Sequence, residues 1–445
     1  MTESTAWKRI CVVGLGYIGL PTAAVFASRQ IEVVGVDVNP RAVETINRGE
    51  IHIVEPELDI IVRAVVSDGW LSATTRPAPA QAYLIAVPTP FRGEGHEPDL
   101  SYIEAAAASI APVLEAGALV VLESTSPVGA TEQLARWLAE ARPDLSFPQD
   151  AGEASDIRVA HCPERVLPGR VMHELIVNDR IIGGMTPACA SLAADLYQVF
   201  VQGECVLTDA RTAEMAKLTE NSFRDLNIAF ANELSMICDR IGIDVWELIR
   251  LANRHPRVSI LQPGPGVGGH CIAVDPWFIV ASAPEEARII RTAREVNNAK
   301  PDWVLARIES MVGSRSGEDL PVVACFGLAF KADIDDLRES PALEIVERLH
   351  RSGICEVVVV DPFVQALPKG LEGARLCEAQ AAFEAADAAV LLVDHAAFAD
   401  LRPPPGMPVV DTRGAWGGQG GRQEAKSGSQ PGVAPAAGFL KSRSE

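Results

Sequence analysis

Residues 8–37 read KRICVVGLGYIGLPTAAVFASRQIEVVGVD, and this stretch decides the fold of the chain. Residues 8–13 carry the short apolar run of a buried β-strand, residues 20–28 have the spacing of a helix, and residues 32–36 form a second strand pattern. A glycine-rich turn joins the first strand to the helix, and an aspartate closes the second strand. The stretch therefore predicts a βαβ unit.

The turn has the spacing GxGxxG, formed by Gly14, Gly16 and Gly19. Glycine permits a tight turn between strand and helix, and it lets backbone amides approach a pyrophosphate at the helix N-terminus. Asp37 follows about 20 residues further on, where a carboxylate accepts hydrogen bonds from a ribose and repels a 2′-phosphate. A glycine turn can serve packing alone, but strand, helix and acid together predict an NAD site rather than an NADP site.

Further strand patterns at residues 82–87, 118–123 and 157–161 are separated by alanine-rich helical stretches, and they extend this unit into a parallel sheet. Residues 212–241 contain neither proline nor glycine and repeat apolar positions at helical spacing, which predicts one long helix that connects domains. A second alternation of strands and helices begins near residue 320. The pattern predicts an α/β fold of two parallel-sheet domains joined by a long central helix.

Composition limits the class of protein. A chain of 445 residues with 48% hydrophobic residues exceeds what one core supports, so several domains are expected. The formal charge of −20 argues against nucleic acids and membrane surfaces as partners, so an anionic ligand needs a local cationic pocket. Cysteines without a paired spacing, and the lack of an apolar run of about 18 residues, predict a soluble cytoplasmic protein with reduced thiols.

A second glycine-rich stretch, GPGVGGHCIAVDP at residues 264–276, carries Cys271, with Asp275 four residues later. A thiolate is a strong nucleophile toward aldehydes, and nearby amides and cations can populate it at neutral pH. Taken alone, however, a cysteine is more often a buried structural thiol. His270 beside Cys271 could suggest zinc, but ligands at the usual spacing are missing, so we expect no metal.

The predicted long helix carries Lys217, Asn221 and Arg224 at positions i, i+4 and i+7, so the three side chains share one face. Charged helix positions usually form a solvated polar stripe, and the spacing alone leaves that interpretation open. The functional alternative is that Lys217 and Asn221 hold a reacting oxygen and a water, while Arg224 meets a phosphate.

Seven motifs in order give the chain a family resemblance that runs from about residue 9 to residue 413. They are GLGYIGLP at 14–21, VPTP at 87–90, ESTSPVG at 123–129, CPER at 162–165, AKLTEN at 216–221, the Cys271 stretch, and FKADIDDLRESP at 330–341. With these motifs the chain resembles the UDP-glucose/GDP-mannose dehydrogenase family. The resemblance implies two Rossmann-like, doubly wound parallel-sheet domains joined by a long central helix, which also forms a homodimer or a higher homo-oligomer.

Together, the pattern and the resemblance divide the chain into four segments. The residues after 414 are rich in Gly, Ser, Gln and Pro, which cannot bury enough apolar area to order themselves. The segments are 1–205, the N-terminal NAD-binding Rossmann domain; 206–300, the central helical dimerisation domain with the cysteine stretch; 301–414, the C-terminal UDP-binding Rossmann-like domain; and 415–445, a disordered tail.

The resemblance also implies roles for residues that match the family motifs. The implied catalytic residues are Cys271, Lys217, Asn221, Glu164 and Asp275. The implied substrate-binding residues are Arg165, Val166, Lys217, Asn221, Arg224, His255, Arg257, Gly268 and Lys331. The implied NAD-binding residues are Gly14, Gly16, Tyr17, Ile18, Gly19, Asp37, Thr89, Thr125 and Arg338.

The activity implied is the four-electron oxidation of a UDP-sugar C6 alcohol to a carboxylate, through a thiohemiacetal and a thioester on Cys271. The cationic residues of the substrate set meet the need for a local positive pocket in an acidic protein. Lys217 or a water would accept the alcohol proton, and Glu164 or Asp275 would position the water that hydrolyses the thioester.

The identity of the sugar is suggested by positions at which this chain differs from the UDP-glucose branch of the family. The UDP-glucose branch usually carries a cysteine loop FGG(S/A)CFPKD, whereas this chain has VGGHCIAVDPWF, which points to an N-acetylated sugar. The segments NRHPRV at 253–258 and QPGPG at 262–266 most resemble enzymes that act on UDP-N-acetyl-D-mannosamine, for polysaccharide precursor synthesis. UDP-N-acetyl-D-glucosamine and UDP-N-acetyl-D-galactosamine are the alternatives.

Two other classes of function stay open from the sequence. A non-catalytic nucleotide-sugar-binding protein would be expected to lose Cys271 or Lys217, and both are present. A hydroxy-acid dehydrogenase that performs one oxidation explains the glycine turn but gives no role to Cys271. The number of NADH formed per product separates that class from a four-electron enzyme.

Overall fold

The computed structural model of the chain describes residues 7–93, 96–167, 169–269, 272–313 and 320–416. It contains two α/β bodies, one with a mostly parallel sheet and one with a fully parallel sheet. Long helices lie between the two bodies in sequence. The predicted fold class is confirmed.

The first body opens with the predicted βαβ unit and ends at Asp209. Its strands are β1 (Arg9–Val13), β2 (Glu32–Val36), β3 (Leu71–Thr74), β4 (Ala82–Ile85), β5 (Phe91–Arg92), β6 (Glu97–Pro98), β7 (Leu119–Leu122), β8 (Arg158–His161), β9 (Arg180–Gly184) and β10 (Cys205–Asp209). Its α-helices are α1 (Gly19–Ser28), α2 (Pro40–Asn47), α3 (Leu58–Ser67), α4 (Ser101–Ile110), α5 (Ala130–Ala141), α6 (Pro148–Ala151), α7 (Val171–Val177) and α8 (Pro187–Tyr197).

Eight of these strands form one sheet in the order β10-β9-β8-β7-β4-β1-β2-β3, and β5 pairs with β6 in a separate hairpin. The run from β8 to β3 is parallel and has the strand order of a doubly wound dinucleotide-binding sheet. The sheet departs from the expected parallel pattern at its edge, because β9 runs antiparallel to β8 and β10 runs parallel to β9. The reversal places the first residue of β9, Arg180, beside the loop that follows β8.

Strand β1 is buried on both faces of the sheet. Ile10 and Val12 pack into one hydrophobic core, while Cys11 and Val13 pack into a second core on the opposite face. This double burial explains why the strand is a continuous apolar run. The chain order reverses between β1 and β4, and the crevice beyond their carboxyl ends is the usual ligand position in such sheets.

The central segment contains α9 (Ala210–Ile241), α10 (Val245–Ala252), α11 (Asp275–Ser282) and α12 (Arg288–Gly313). Helix α9 confirms the predicted long helix. Asp209 caps its start by accepting a hydrogen bond from the Thr212 N–H (2.9 Å), and Gly242, with a φ of 74°, ends it in the left-handed region. Helices α11 and α12 both pack along α9.

The last body contains β11 (Val322–Phe326), α13 (Pro341–Ser352), β12 (Glu356–Val360), β13 (Arg375–Leu376), α14 (Ala379–Ala385), β14 (Ala388–Leu391) and β15 (Val409–Asp411). Its five strands are all parallel and lie in the order β13-β12-β11-β14-β15. The order reverses at β11, as it does at β1 in the first sheet. This body therefore has the predicted second Rossmann-like topology.

The end of the described chain differs from the expected start of the tail. Ala415 and Trp416 pack against the last sheet, and the Trp416 ring meets the Phe326 ring edge-on at a centroid distance of 4.9 Å. A large aromatic ring can bury enough apolar area to hold this end of the chain in place. Residues 417–445 of the predicted tail lie outside the described residues.

Among the helices of the described residues, none is both long enough and apolar enough to cross a lipid bilayer.

Candidate active site

The glycine turn lies at the switch point of the first sheet. Gly14 has a φ of 92°, its N–H donates to the Val36 carbonyl oxygen (2.8 Å), and an added Cβ would lie 2.5 Å from the Ala86 carbonyl oxygen. A Cβ on Gly19 would overlap the Gly14 carbonyl oxygen. At Gly16, by contrast, no atom of the described residues other than Gly16 and its two chain neighbours lies within 4 Å of an added Cβ. The turn is therefore closed toward the sheet and open at Gly16, where phosphate groups can approach the backbone.

The Asp37 carboxylate is held at the end of β2 by two backbone donors. Its Oδ2 accepts a hydrogen bond from the Leu15 N–H (3.0 Å), and its Oδ1 accepts one from the Asn39 N–H (2.9 Å). Each carboxylate oxygen keeps a further lone pair, so the group can still accept hydrogen bonds from ribose hydroxyls. The open turn and this fixed carboxylate together fit NAD.

The second sheet has a similar glycine turn and carboxylate, but there the carboxylate is covered. The Gly327 N–H donates to the Val360 carbonyl oxygen (2.8 Å), and the Leu328 N–H donates to Asp361 Oδ2 (2.8 Å). Here, however, a fully buried histidine covers the carboxylate, with His395 Nε2 3.3 Å from Asp361 Oδ2. The carboxylate after β12 is thus closed, whereas the one after β2 is open.

The remaining cofactor-set residues come from both bodies. The guanidinium carbon of Arg338 lies 5.2 Å from the centroid of the Tyr17 ring, so the segment before α13 reaches the glycine turn. Thr89 Oγ1 donates to the Thr125 carbonyl oxygen (2.6 Å) and joins the loops that follow β4 and β7. Ile18 directly precedes α1. The structure therefore gathers the predicted cofactor residues at one edge of the first sheet.

Three residues of the predicted catalytic set meet where α9 contacts α11. Asn221 Nδ2 donates to Asp275 Oδ2 (2.5 Å), and Asp275, the first residue of α11, is only 3% exposed. Burial raises the pKa of Asp275 to about 6, while the positive charge of Lys217 and the Asn221 hydrogen bond act in the opposite direction. Lys217 is itself buried. The predicted face of α9 is therefore an enclosed polar group at Lys217 and Asn221 rather than a solvated stripe.

Glu164 is held from two sides in the loop after β8. Its Oε1 accepts a hydrogen bond from the Arg165 N–H (2.7 Å), and its Oε2 pairs with Arg180 Nη1 (2.8 Å). Both partners of the ion pair are buried. An enclosed pair with this geometry fixes the orientation of the Glu164 carboxylate.

The polar cluster around Arg180 extends beyond the residues that the sequence predicted. The Tyr197 hydroxyl donates to Glu123 Oε1 (2.6 Å), and the Arg180 guanidinium carbon lies 5.1 Å from the Tyr197 ring centroid. Burial raises the pKa of Glu123 to about 7, although the positive charge of Arg180 and the Tyr197 hydrogen bond lower it. The one signal in the sequence was the arginine that opens the apolar strand RIIGG, because a buried arginine requires a partner.

The predicted substrate cations line the exposed end of the same α9 face. Arg165 pairs with Glu220 on α9 (2.7 Å), next to Asn221. The pKa of Lys331 is lowered by burial and by the positive charge of Arg224. Lys331 belongs to the last body, so this body lies near Arg224 at the exposed end of the face. These cations can meet a diphosphate.

Other members of the substrate set lie elsewhere. Val166 packs against the core of the first body. His255 and Arg257 are exposed after α10, where His255 Nδ1 accepts a hydrogen bond from the Arg257 N–H (3.3 Å). In the described part of the chain, neither side chain forms a hydrogen bond or an ion pair with α9. The structure therefore does not bring these two residues into the group at Lys217.

In the segment 264–276, called the cysteine loop below, the glycines that precede Cys271 lie against the last body. A Cβ added to Gly268 would lie 2.7 Å from Pro341 Cδ, and one added to Gly269, whose φ is 84°, would lie 2.8 Å from the Phe330 ring. His270 and Cys271 lie outside the described residues. Across the described ranges, no group of three or more His, Cys, Asp or Glu side chains could hold a metal ion.

A cavity of about 530 Å³ lies beside this loop. Val267 and Ala273, from the two sides of the cysteine, line part of it, and Leu337 and Glu339, the neighbours of Arg338, line another part. The cavity therefore connects the cysteine loop with the segment that contacts the glycine turn.

Comparison with known proteins agrees with this arrangement. Residues 8–201, 211–299 and 324–417 match, in order, the NAD binding, central and UDP binding domains of the UDP-glucose/GDP-mannose dehydrogenase family. The chain belongs to this family, and the resemblance drawn from its motifs is confirmed. It is an NAD-dependent UDP-sugar dehydrogenase.

Individual relatives show which nucleotide-sugar dehydrogenases the chain is similar to. The chain is 66% identical over 412 residues to NDP-N-acetyl-D-galactosaminuronic acid dehydrogenase of Ralstonia nicotianae, covering 92% of this chain and 96% of the relative. It is 62% identical over 420 residues to UDP-N-acetyl-D-mannosamine dehydrogenase of Escherichia coli, covering 92% of this chain and all of the relative. The solved UDP-N-acetyl-mannosamine dehydrogenase of Staphylococcus aureus superposes with a TM-score of 0.80 at 39% identity, covering 93% of this chain and 96% of that one.

Proposed function

We propose that the protein oxidises the C6 alcohol of UDP-N-acetyl-D-mannosamine to the carboxylate through a thiohemiacetal and a thioester on Cys271, as a step toward polysaccharide precursors. NAD, when bound, accepts a hydride in each of the two oxidations. The covalent link keeps the aldehyde from leaving between them, which gives a four-electron oxidation its need for a nucleophile. The proton transfers and the hydrolysis then fall to side chains on α9, on α11 and in the loop after β8.

The observation that carries this proposal is the contact between Asn221 and Asp275 beside buried Lys217. The three groups come from the face of α9 and from the helix that begins four residues after Cys271. An acid, an amide donor and a cation in one enclosed place are what deprotonation of an alcohol and stabilisation of an oxyanion require.

Asp275 is the better base for the hydrolytic step. Both oxygens of Glu164 already accept hydrogen bonds, from the Arg165 N–H and from Arg180, so this carboxylate is suited to orienting a water. Asp275 accepts through Oδ2 from Asn221, and a carboxyl with a pKa of about 6 is close to the working range of a general base near neutral pH. We therefore assign proton removal from the water to Asp275.

Lys217 and Asn221 have the complementary role. One N–H of the Asn221 amide is directed to Asp275, and the second can donate to an oxygen on the reacting carbon. The charged ammonium of Lys217 adds positive charge at the same place. The alcohol proton goes either to a water held there or to Lys217 in its neutral amine form. Buried donors of this kind are worth far more to a developing oxyanion than donors in water.

The UDP group is assigned to the cations at the exposed end of the face. Arg224 and Lys331 are close enough for their charges to oppose each other, which favours an anion between or beside them. Arg165 is paired with Glu220 and is the third candidate. We also retain His255, Arg257 and Gly268 as proposed substrate-binding residues, and the cofactor residues named above as the proposed NAD site.

The choice among the possible sugar epimers is supported by the names of relatives. Those at 62–63% identity act, by name, on UDP-N-acetyl-D-mannosamine, whereas the relatives at 66% are named for N-acetyl-D-galactosaminuronic acid. UDP-N-acetyl-D-galactosamine is therefore the second candidate substrate, and UDP-N-acetyl-D-glucosamine the third.

The test supplies limiting UDP-N-acetyl-D-mannosamine, UDP-N-acetyl-D-galactosamine, UDP-N-acetyl-D-glucosamine or UDP-glucose separately, with excess NAD, and measures NADH yield and product mass. Two NADH per uronate from the mannosamine substrate alone is the expected result. Two NADH from another sugar replaces the substrate and keeps the mechanism. One NADH per product, or binding without turnover, contradicts the four-electron reaction.

We also propose a homodimer formed through α9. Phe223, Phe230 and Ile237 recur every seven residues along this helix, and all three are exposed, the first by 69%. An exposed apolar stripe of this kind is typical of a helix that packs against a second copy. The proposed domain limits remain 1–205, 206–300 and 301–414, and the cytoplasm is the proposed location.

A further inference from the structure

A chain of buried polar side chains connects α9 with α12. Asp225 Oδ1 pairs with Arg294 Nη1 (2.7 Å), and both side chains are almost fully buried. Asn297 Nδ2 donates to the same Asp225 oxygen (2.8 Å) and to the Asp225 carbonyl oxygen (3.0 Å). Such groups stabilise less than apolar packing would, so their arrangement favours a specific geometry rather than stability.

The chain continues to the cysteine loop through a second asparagine. Asn232 Nδ2 donates to Asn297 Oδ1 (2.9 Å), and Asn232 Oδ1 accepts a hydrogen bond from the Gly264 N–H (2.9 Å). Asn232 is fully buried, so water does not compete for these hydrogen bonds. The start of the loop is thereby tied to α9.

The far end of the loop is tied to the same helix. Asn221 donates to Asp275, and Asn221 and Asn232 are 11 residues apart on α9. Eleven residues make about three helical turns, so the two asparagines lie on one face, roughly 16 Å apart along the axis. One helix face therefore holds both ends of the segment from Gly264 to Asp275.

On its opposite side the loop meets the last body, where Arg413 Nη1 donates a hydrogen bond to the Pro263 carbonyl oxygen (3.5 Å). Gly266 and Gly268 abut Pro341, where an added Cβ would lie 2.8 Å and 2.7 Å from its ring atoms. Packing of glycine backbone against a proline ring limits how far the loop can move outward. The hydrogen bonds that tie the loop to α9 itself come from the two asparagines.

We propose that Asn232, braced by Asn297 and the Asp225–Arg294 pair, is a positioning residue that sets Cys271 relative to Lys217 and Asn221. This inference rests on the proposed function of Cys271. Loss of the Asn232 anchor removes the hydrogen bond between α9 and the start of the loop, while the Asp275 end stays bound to this helix. The thiol then spends less time at the reacting carbon, and misplacement on the scale of 1 Å costs about a hundredfold in rate.

The experiment compares Asn232→Ala and Asn297→Ala with the unchanged protein in two measurements. The first is kcat and the KM for NAD. The second is the pH dependence of Cys271 alkylation by iodoacetamide, followed on the Cys271 peptide by mass spectrometry. We expect kcat to fall by about tenfold to a hundredfold with Asn232→Ala, and less with Asn297→Ala, with the KM for NAD unchanged. The alkylation midpoint should shift with Asn232→Ala, and shift less with Asn297→Ala.

Asn47→Ala is the matched control, because Asn47 also bridges backbone groups through its amide, at Ala73 in the first sheet. It should lower the unfolding temperature without changing either measurement. The proposal is overturned if both network variants keep the original kcat and midpoint, or if Asn47→Ala changes them equally. Alkylation does not depend on turnover, so a failure of this inference is distinguishable from a failure of the thioester mechanism, which Cys271→Ser tests.

Discussion

Arg338 and Tyr17 lie 321 residues apart in the sequence, yet the Arg338 guanidinium carbon is 5.2 Å from the centroid of the Tyr17 ring. The contact joins the segment before α13 to the glycine turn of the first sheet. A cation over an aromatic ring at such a site contributes about 0.5–2 kcal/mol, and an exposed guanidinium can also meet a phosphate.

Arg338→Ala is therefore expected to raise the KM for NAD by about tenfold, with a smaller effect on the KM for the nucleotide sugar. Initial rates at varied NAD check this. Arg402→Ala is the control, because Arg402 is also exposed in the last body and its bonds within the described residues go to nearby backbone oxygens, at Ala399 and Leu401. Equal KM values for the two variants would remove Arg338 from the NAD site.

Asp37→Ser should relax the choice of cofactor. The substitution removes the carboxylate that would repel a 2′-phosphate and accept hydrogen bonds from a ribose, and charged hydrogen bonds contribute about 1.5–3 kcal/mol. We expect kcat/KM to fall by about tenfold to a hundredfold with NAD and to rise with NADP. The ratio of the two values is the measurement, and an unchanged ratio contradicts the role of Asp37.

The pH dependence of turnover should report Asp275. Burial raises its pKa to about 6, and a base acts in the ionised form, so kcat should fall as the pH drops through about 6. Asp275→Asn should remove that acidic limb and lower kcat by about a hundredfold or more. Profiles of kcat from pH 5 to pH 9, recorded for the unchanged protein and for Asp275→Asn, test this prediction. An acidic limb that persists in Asp275→Asn would assign the titration to another group.

Glu123 gives a prediction about stability. Burial raises its pKa from the ordinary 4.5 to about 7, so the folded state binds a proton that the unfolded state has lost across this window. Stability should therefore decrease as the pH rises from about 4.5 to 7, which is the opposite of the slope from a carboxylate with a lowered pKa. Glu123→Gln, which cannot titrate, should flatten that slope. Denaturant unfolding at a series of pH values measures it, and equal slopes in the two proteins would refute the assignment.

Cys271→Ser tests the covalent mechanism. A hydroxyl at this position is a much weaker nucleophile than a thiolate, so carboxylate formation should fall by orders of magnitude. Binding of NAD and of the UDP-sugar should survive, as measured by calorimetry. Cys377→Ser, at a partly exposed cysteine of the last body, is the control. Full turnover by Cys271→Ser would refute the thioester.

The fold was predictable from the sequence where neighbouring residues decide the structure. The βαβ unit and α9 follow from local spacing, because a buried strand and a long helix each leave a periodic apolar pattern. The Lys217, Asn221 and Arg224 face was also predictable from helical geometry alone. Its enclosure was not, because burial of Lys217 depends on α11, which begins at Asp275, far along the chain.

The supporting polar groups could not be predicted. Arg180 meets Glu164 because β9 reverses direction, and strand direction leaves no mark on a short apolar run. Asn232 meets Asn297 across 65 residues, where no local pattern indicates a pairing. Trp416, in turn, packs against Phe326 although it lies at the start of a glycine-rich stretch of sequence.

The closed carboxylate of the second sheet has a consequence for the order of events. The backbone at Gly327 and Asp361 repeats the hydrogen bonds found at Gly14 and Asp37, but the chain's own imidazole, His395, lies against the second carboxylate. Of the two copies, the first is the one whose carboxylate is open to a ribose. Under the proposed reaction, one NAD site then serves both oxidations. The first NADH therefore has to leave while the half-oxidised sugar stays bound to the enzyme.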